Sequence, residues 1–285
     1  TYSFKYDITK ALAFDFSANN IAYIKESEGQ TLKGELLKDS ITTESITTFG
    51  ENLNYGHTAN LNYTLPFKHF PMLDWINSTA RYSVAYDWTR GPIAFDDSLG
   101  NSELGNTIQN SRNITLNGQL NFINLYNKVP YFKKINQKYS GSGKRRGTSR
   151  GAFGGPGAAK SQDKDSTEKE ESKFNIAEHS VRLLLALKSV SFTYTTTDGI
   201  FLPGFVPKTE YLGMNTIYGF APGYKFISGG FQQRDIWGKP TEGAANNFPV
   251  YVASNNWFIG QDESELLNSQ YTSNHRNGYN ARATI

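Results

Sequence analysis

The residues able to do acid–base or metal chemistry are few and scattered. The four histidines stand at 57, 69, 179 and 275, far apart and without metal-ligand spacing, and the chain has no Cys. Thiolate metal sites and disulfides are therefore excluded, while the redox compartment stays open. Asp96-Asp97 and Asp262, Glu263 and Glu265 offer carboxylates, but neither group has the spacing of a calcium loop. They read as solvated loop charge. No Ser, His and acid stand in a recognisable catalytic context. Asn62-Tyr63-Thr64, Asn77-Ser78-Thr79 and Asn113-Ile114-Thr115 match the glycosylation pattern, but all three fall inside expected strands. The expectation is a protein that is not an enzyme, with no catalytic residue, cofactor or metal site.

Charge is concentrated in one place. The net charge is +3, yet residues 138–173 hold nine Lys/Arg and five Asp/Glu, which leaves 20 basic and 21 acidic residues elsewhere. The first half of that segment, KYSGSGKRRGTSRG, could contact nucleic acid as an RGG-like tract does. It contains almost nothing to bury, so a disordered, solvated tether is the better reading. With the basicity confined there, no nucleic-acid partner is expected.

The elements around these residues are strands. Leu61, Tyr63 and Leu65 alternate with Asn60, Asn62 and Thr64; Ile76, Ala80, Tyr82, Val84, Tyr86 and Trp88 alternate with Asn77, Thr79, Arg81, Ser83 and Asp87. Successive strand side chains point to opposite faces, so each stretch has one apolar and one polar side. Tyr2, Phe4, Tyr6 and Ile8 repeat the pattern against Ser3, Lys5 and Asp7, and Leu12, Phe14, Phe16 and Ala18 follow, continuing to Ile24. Further stretches are 46–66, 76–90, 111–127, 174–197 and 278–285. That makes seven. The longest apolar run, Leu183 to Leu187, is far short of the roughly 20 residues a spanning helix needs.

One stretch slips phase. Val181, Leu183, Leu185 and Leu187 are odd-numbered, whereas Val190, Phe192 and Tyr194 are even. With no Gly, Asn or Asp at Lys188-Ser189 to favour a turn, a β-bulge is expected there. The connections then sort into Thr9-Lys10, 67–75 and the linker after Tyr126 at one end, and 26–45, 91–110 and 198–275 at the other. Apart from the linker, one end has short turns and the other long loops, the asymmetry of outer-membrane barrels. From Trp75 to Tyr86 is roughly 28 Å after allowing for tilt, close to the band such barrels present to lipid. Trp75, Phe67 and Phe70 would mark one membrane interface, and Tyr86 and Trp88 the other. The same alternation would serve a β-sandwich facing a second sheet.

Residues 199–231 have three Pro, seven Gly and many aromatics. They are too apolar for a free loop and too broken for a strand, so they should pack as a cap, a plug or a partner contact.

Several long strings carry a resemblance. YTLPFKHFPMLDW (63–75), LGNTIQN (104–110), LYNKVPYFKKIN (125–136), FLPGFVPKTEYLGMN (201–215) and GFAPGYKFISGG (219–230) resemble the SprA family, called Sov in some members. That family is the outer-membrane translocon of the Bacteroidetes type 9 secretion system. The resemblance runs through nearly the whole chain except 138–173. It implies a segment of a very large antiparallel transmembrane β-barrel that exports folded cargo proteins, including gliding-motility adhesins in gliding species. It implies as partners cargo with C-terminal signal domains, a PorV-type barrel, a periplasmic plug protein and outer-membrane lipid. Under it the chain divides into 1–137, barrel strands with periplasmic turns and extracellular loops; 138–173, a disordered periplasmic linker; 174–197, a strand with a bulge; 198–275, an extracellular loop or cap; and 276–285, the start of the next strand. The chain, without initiator Met or signal peptide, reads as a piece of a longer protein. Rival readings are a nutrient-transporter barrel and a β-sandwich adhesin.

The polar face would then line the conduit, with Asn60, Asn62, Thr64, Asn77, Thr79, Arg81, Asn117, Gln119 and Asn121 turned inward.

Overall fold

In the computed structural model, residues 1–24, 43, 50–92, 104–134, 185–241, 247–260, 267 and 269–285 are described. Seven strands form one unclosed, antiparallel sheet in chain order. They are β1 (Tyr2–Thr9), β2 (Leu12–Tyr23), β3 (Glu51–Thr64), β4 (Ile76–Thr89), β5 (Asn106–Asn121), β6 (Ser189–Phe205) and β7 (Thr272–Thr284). Most are two to three times the usual strand length of 5–6 residues. No helix among the described residues is long and apolar enough to cross a membrane. The chain is all-β in class.

Register explains the two-faced character. Phe4 pairs with Phe16, Phe14 with Leu61, and Leu61 with Tyr82, so apolar side chains stand in rows across four strands. On the opposite face Lys5 pairs with Asp15, Asp15 with Asn60, and Asn60 with Ser83. A slip of one residue anywhere would exchange the faces, so the alternation itself pins the register.

Three expected boundaries are corrected. The strand expected over 174–197 begins at Ser189 and runs to Phe205, while Leu185 is helical and Ala186 lies in a turn. The phase slip therefore marks where the strand starts, not a bulge within it; residues 174–184 lie outside the described residues. The strand expected over 111–127 starts earlier, at Asn106, and stops at Asn121. Residues Phe122–Lys128 form a short helix, α1, capped by the Asn121 carboxamide, whose oxygen accepts from the Asn124 N–H at 3.3 Å. Phe122 and Tyr126, four residues apart, stack on one helix face at 6.0 Å between centroids. Finally β7 begins at Thr272 rather than at 276 or 278. The linker 138–173 lies outside the described residues.

Contacts divide the chain into two compact units. The larger comprises Thr1–Phe67, Asn77–Gly118 and Phe192–Ala281; the smaller comprises Lys68–Ile76, Gln119–Ser191 and Arg282–Ile285. In the smaller unit Trp75 lies 5.7 Å from Phe122, and Lys128 pairs with Asp74 at 2.5 Å while also donating to the Pro71 carbonyl. The Asn121 N–H donates to Trp75 O at 2.8 Å, tying the turn 68–76 to the end of β5.

Candidate functional site

Within the larger unit the apolar face is covered over part of its area by the chain itself. The described residues of 206–260 fold back as an irregular layer over the loop-side ends of β3 to β7, its core reaching Ala18 of β2, with two short helices, α2 (Tyr224–Ile227) and α3 (Phe248–Ser254). Phe226, Phe231, Phe248, Val252 and Trp257 of this layer bury Tyr55, Tyr86, Trp88, Ile108, Ile200 and Leu202 of the sheet in one core. Phe226 and Phe248 stack at 4.0 Å, and Phe226 meets Tyr86 edge-on at 5.9 Å.

An irregular backbone in a dry place needs donors for its carbonyls. The sheet supplies them. Asn52 donates to Thr209 O at 2.8 Å, Asn106 to Val206 O at 3.1 Å, and Trp88 Nε1 to Pro207 O at 3.2 Å. Tyr86 OH donates to Gly213 O at 3.0 Å, Asn110 to Phe226 O at 2.9 Å, and Tyr82 OH to Ser228 O at 2.5 Å. His57 Nε2 lies 3.3 Å from Ile227 O and donates in the tautomer protonated there. Gly213 has φ +83°, and a Cβ on it would come within 2.4 Å of the Tyr86 ring and 2.8 Å of the Tyr55 ring, so only glycine lets the backbone approach.

This corrects the expectation for Tyr86 and Trp88. They are not an exposed girdle; both are fully buried, and their polar atoms hold the covering layer. The layer is a cap on the apolar face rather than a plug across the polar one.

Over β5 to β7 the same face carries charge. Asp198, 1 % exposed, accepts from Arg112 Nη2 at 2.7 Å and Nε at 3.1 Å, and its other oxygen lies 2.5 Å from His275 Nδ1. The hairpin around Arg234–Pro240 lies above this cluster: Arg112 also reaches Arg234 O at 3.4 Å, Tyr194 donates to Ile236 O, and Trp237 stacks on Tyr194 at 5.7 Å. Sequence reasoning missed the cluster. Its signal was an Asp at an even-numbered, apolar-phase position of β6, where a carboxylate needs a partner.

The histidines are not gathered. His57 is buried on β3, His69 ends a 3-10 turn, and His275 is on β7; His179 lies outside the described residues. Asp96, Asp97, Asp262, Glu263 and Glu265 also lie outside them. No group of three or more His, Asp or Glu able to hold a metal occurs among the described residues.

The polar face forms a hydrogen-bonded ladder. Lys5 lies 3.8 Å from Asp15, Asn62 donates to Asp15 at 3.3 Å, and Arg81 and Ser83 both donate to Asn60 Oδ1 at 3.0 and 2.6 Å. Gln109 donates to Asp87 at 3.1 Å and Thr193 to Asn117 at 2.9 Å. Register thus places Lys5, Asp15 and Asp87 on this polar face as well. A hollow of about 580 Å³ over Gly56 is bordered by Ser17, Asn19, Thr58, Asp87 and Gln109.

No protein-family model and no curated protein matches this sequence.

Proposed function

We propose that this chain is a section of the wall of a large outer-membrane barrel that conducts folded proteins, as the resemblance to the SprA family implies. One observation carries the reading: strands of up to 17 residues, with one polar and one apolar face in β1 to β4, are joined by connections that, apart from 122–188, are short at one end and long at the other. A backbone in lipid must satisfy every polar group, which strands do only within a barrel. The seven strands here would be continued by others. Tyr2, Phe4, Tyr6, Ile8 and Tyr63, exposed on the apolar face beyond the cap, would meet lipid. The Asn, Thr, Ser and Gln ladder would meet water and cargo. Cargo with a C-terminal signal domain, a PorV-type barrel and a periplasmic plug are the partners that go with this reading.

A soluble layered protein is the second reading, favoured by the cap itself. It leaves the exposed aromatic rows of β1 without a role.

Single cysteines decide between them. Met72, 79 % exposed, lies in the connection between β3 and β4, and Ala253, exposed on α3, in the connection between β6 and β7. In intact cells an impermeant maleimide should label Ala253→Cys at once and Met72→Cys only after lysis. Equal labelling of both would overturn the spanning wall. A photo-crosslinking residue at Asn62 should capture cargo in transit, while one at Phe14 should not; capture at neither would remove the conduit.

A further inference from the structure

The cap lies on the face that the wall reading turns to lipid, so its own outer surface confronts the membrane from the side. That surface is apolar at its tips. Tyr211, Leu212, Ile217, Tyr218, Phe220 and Tyr224 are all exposed, Ile217 to 83 %. Two consecutive turns present them. One is closed by the Met214 N–H to Tyr211 O at 2.9 Å, the next by the Asn215 N–H to Ala221 O at 2.8 Å. Leu212 and Phe220 sit in these turns at φ +50° and +63°. A left-handed backbone at a bulky residue costs about 1–3 kcal/mol and persists only where the surroundings enforce it. Here it leaves about half of each apolar side chain open to the surroundings, with Phe220 stacked on Tyr224 at 6.1 Å.

Charge on the cap favours an anion. Its described residues carry Lys208, Lys225, Arg234 and Lys239 against Glu210 and Asp235; Arg234 also donates to Gly238 O at 2.7 Å and Lys225 lies 4.3 Å over the Phe231 ring. Both carboxylates are engaged internally. Glu210 accepts from the Thr216 N–H at 3.1 Å, the Thr216 hydroxyl at 2.7 Å and Asn215 at 3.2 Å, and Asp235 accepts from the Trp237 and Lys239 N–H groups at 2.9 and 2.8 Å. Tyr and Trp tips beside basic side chains match the headgroup level of a bilayer, where amphipathic rings settle and phosphates attract cations.

We infer that the outer surface of residues 206–241 is a lipid-binding surface, seated at the boundary of headgroup and acyl chain, with its basic side chains on lipid phosphates. The inference rests on the wall reading. It makes the cap a membrane-anchored shoulder of the wall rather than a loop standing in water.

An environment-sensitive fluorophore on single cysteines tests it, in the protein as the cell makes it, reconstituted into nanodiscs of phosphatidylcholine and phosphatidylglycerol. A spin label is carried by the lipid either next to the headgroup or at the chain end. Phe4→Cys and Ser3→Cys report on the wall, and Ile217→Cys reports on the cap; all three positions are exposed, so folding is undisturbed. The expected result is lipid quenching at Phe4 but not at Ser3. At Ile217 quenching should be about twofold stronger from the headgroup label than from the chain-end label, with iodide ineffective. Quenching at Phe4, with Ile217 open to iodide and silent to both lipid labels, would overturn the inference and leave the wall intact. Ile217 shielded from iodide and from lipid alike would mean that a protein covers the cap, and would also overturn it. No lipid quenching at Phe4 would overturn the wall reading and the inference with it.

Discussion

Tyr2 and Tyr86 stand in one row of the sheet, joined through the registered pairs Tyr2–Ala18, Ala18–His57 and His57–Tyr86, yet Tyr2 is 47 % exposed and Tyr86 is 0 %. The same face of one sheet is therefore open at one end of a row and sealed at the other. The seal is the cap, and what holds it are side-chain donors on the sheet.

Asn110, like Asn106, makes three hydrogen bonds. Its carboxamide donates to Phe226 O and Gly230 O, and its oxygen accepts from Gln232 at 3.0 Å. Asn110→Leu fills the same space but leaves these groups unpaired in the core. The expected cost is about 1–3 kcal/mol, seen as faster proteolytic nicking within 206–260 while the strands stay protected.

Gly213→Ala should loosen the cap without touching the ladder of the sheet. The added methyl meets the Tyr86 and Tyr55 rings and the backbone is left-handed there, a combined penalty of about 2 kcal/mol or more. Hydrogen exchange at the Met214 and Asn215 amides should accelerate; unchanged exchange would mean that the close approach at Gly213 is not needed.

How much of this was legible in the sequence depends on which signals were ambiguous. Period-two alternation at 61–65 and 76–88 has only one local solution, and those strands are where it places them. Tyr86 and Trp88 were ambiguous in kind, because a membrane girdle and a core donor call for the same residues, an apolar ring with a polar tip. Phe122 and Tyr126 fit a strand face by parity and a helix face by their spacing of four; the Asn121 cap decides for the helix. The Gly and Pro of 199–205 read as breakers, yet β6 runs through them because its apolar side is buried under the cap. Asp198 escaped notice because its partners are supplied from β5 and β7, separations no local pattern contains.

Breaking the Asp198 cluster should be costly, and replacing it whole should not. Asp198→Ala leaves Arg112 and His275 facing a buried void, an expected loss of about 3–5 kcal/mol. Replacing Arg112 by Met and Asp198 by Leu together should recover most of it. The midpoint of thermal unfolding measures both; equal losses in the single and double variants would refute the compensation.

On β5 and β6, Gly118 and Phe192 form a cross-strand pair in which the ring lies where a Cβ on Gly118 would be, 2.1 Å from the Phe192 Cζ position. An aromatic over a strand glycine covers backbone that would otherwise be bare. Gly118→Ala should cost about 1 kcal/mol in a wild-type background and nothing, or a slight gain, once Phe192→Ala has removed the ring. Thermal shifts of the four proteins in that cycle check it; additive losses would mean that the two do not interact.

Under the proposed function, the scarcity of unpaired charge on the polar face suits cargo of either sign. Asn62→Asp, Asn117→Asp and Gln119→Glu together should slow export of basic cargo by several-fold while sparing acidic cargo. Equal export of both, measured as cargo appearing outside the cells over time, would sink that idea.

The cap reaches β3, β4 and β5 from a starting point after β6, so its contacts join residues 100 to 170 positions apart in the chain. Hydrogen bonds between strands resist pulling along one direction only, whereas a layer bonded to several strands at once ties them crosswise. The sheet is thereby made of unequal stiffness: β3 to β7 are laced together and β2 shares the capped core through Ala18, with Phe16 packed against it, while β1 lies outside that core. Any bending under load would concentrate where the core stops, between Tyr2 and Ala18.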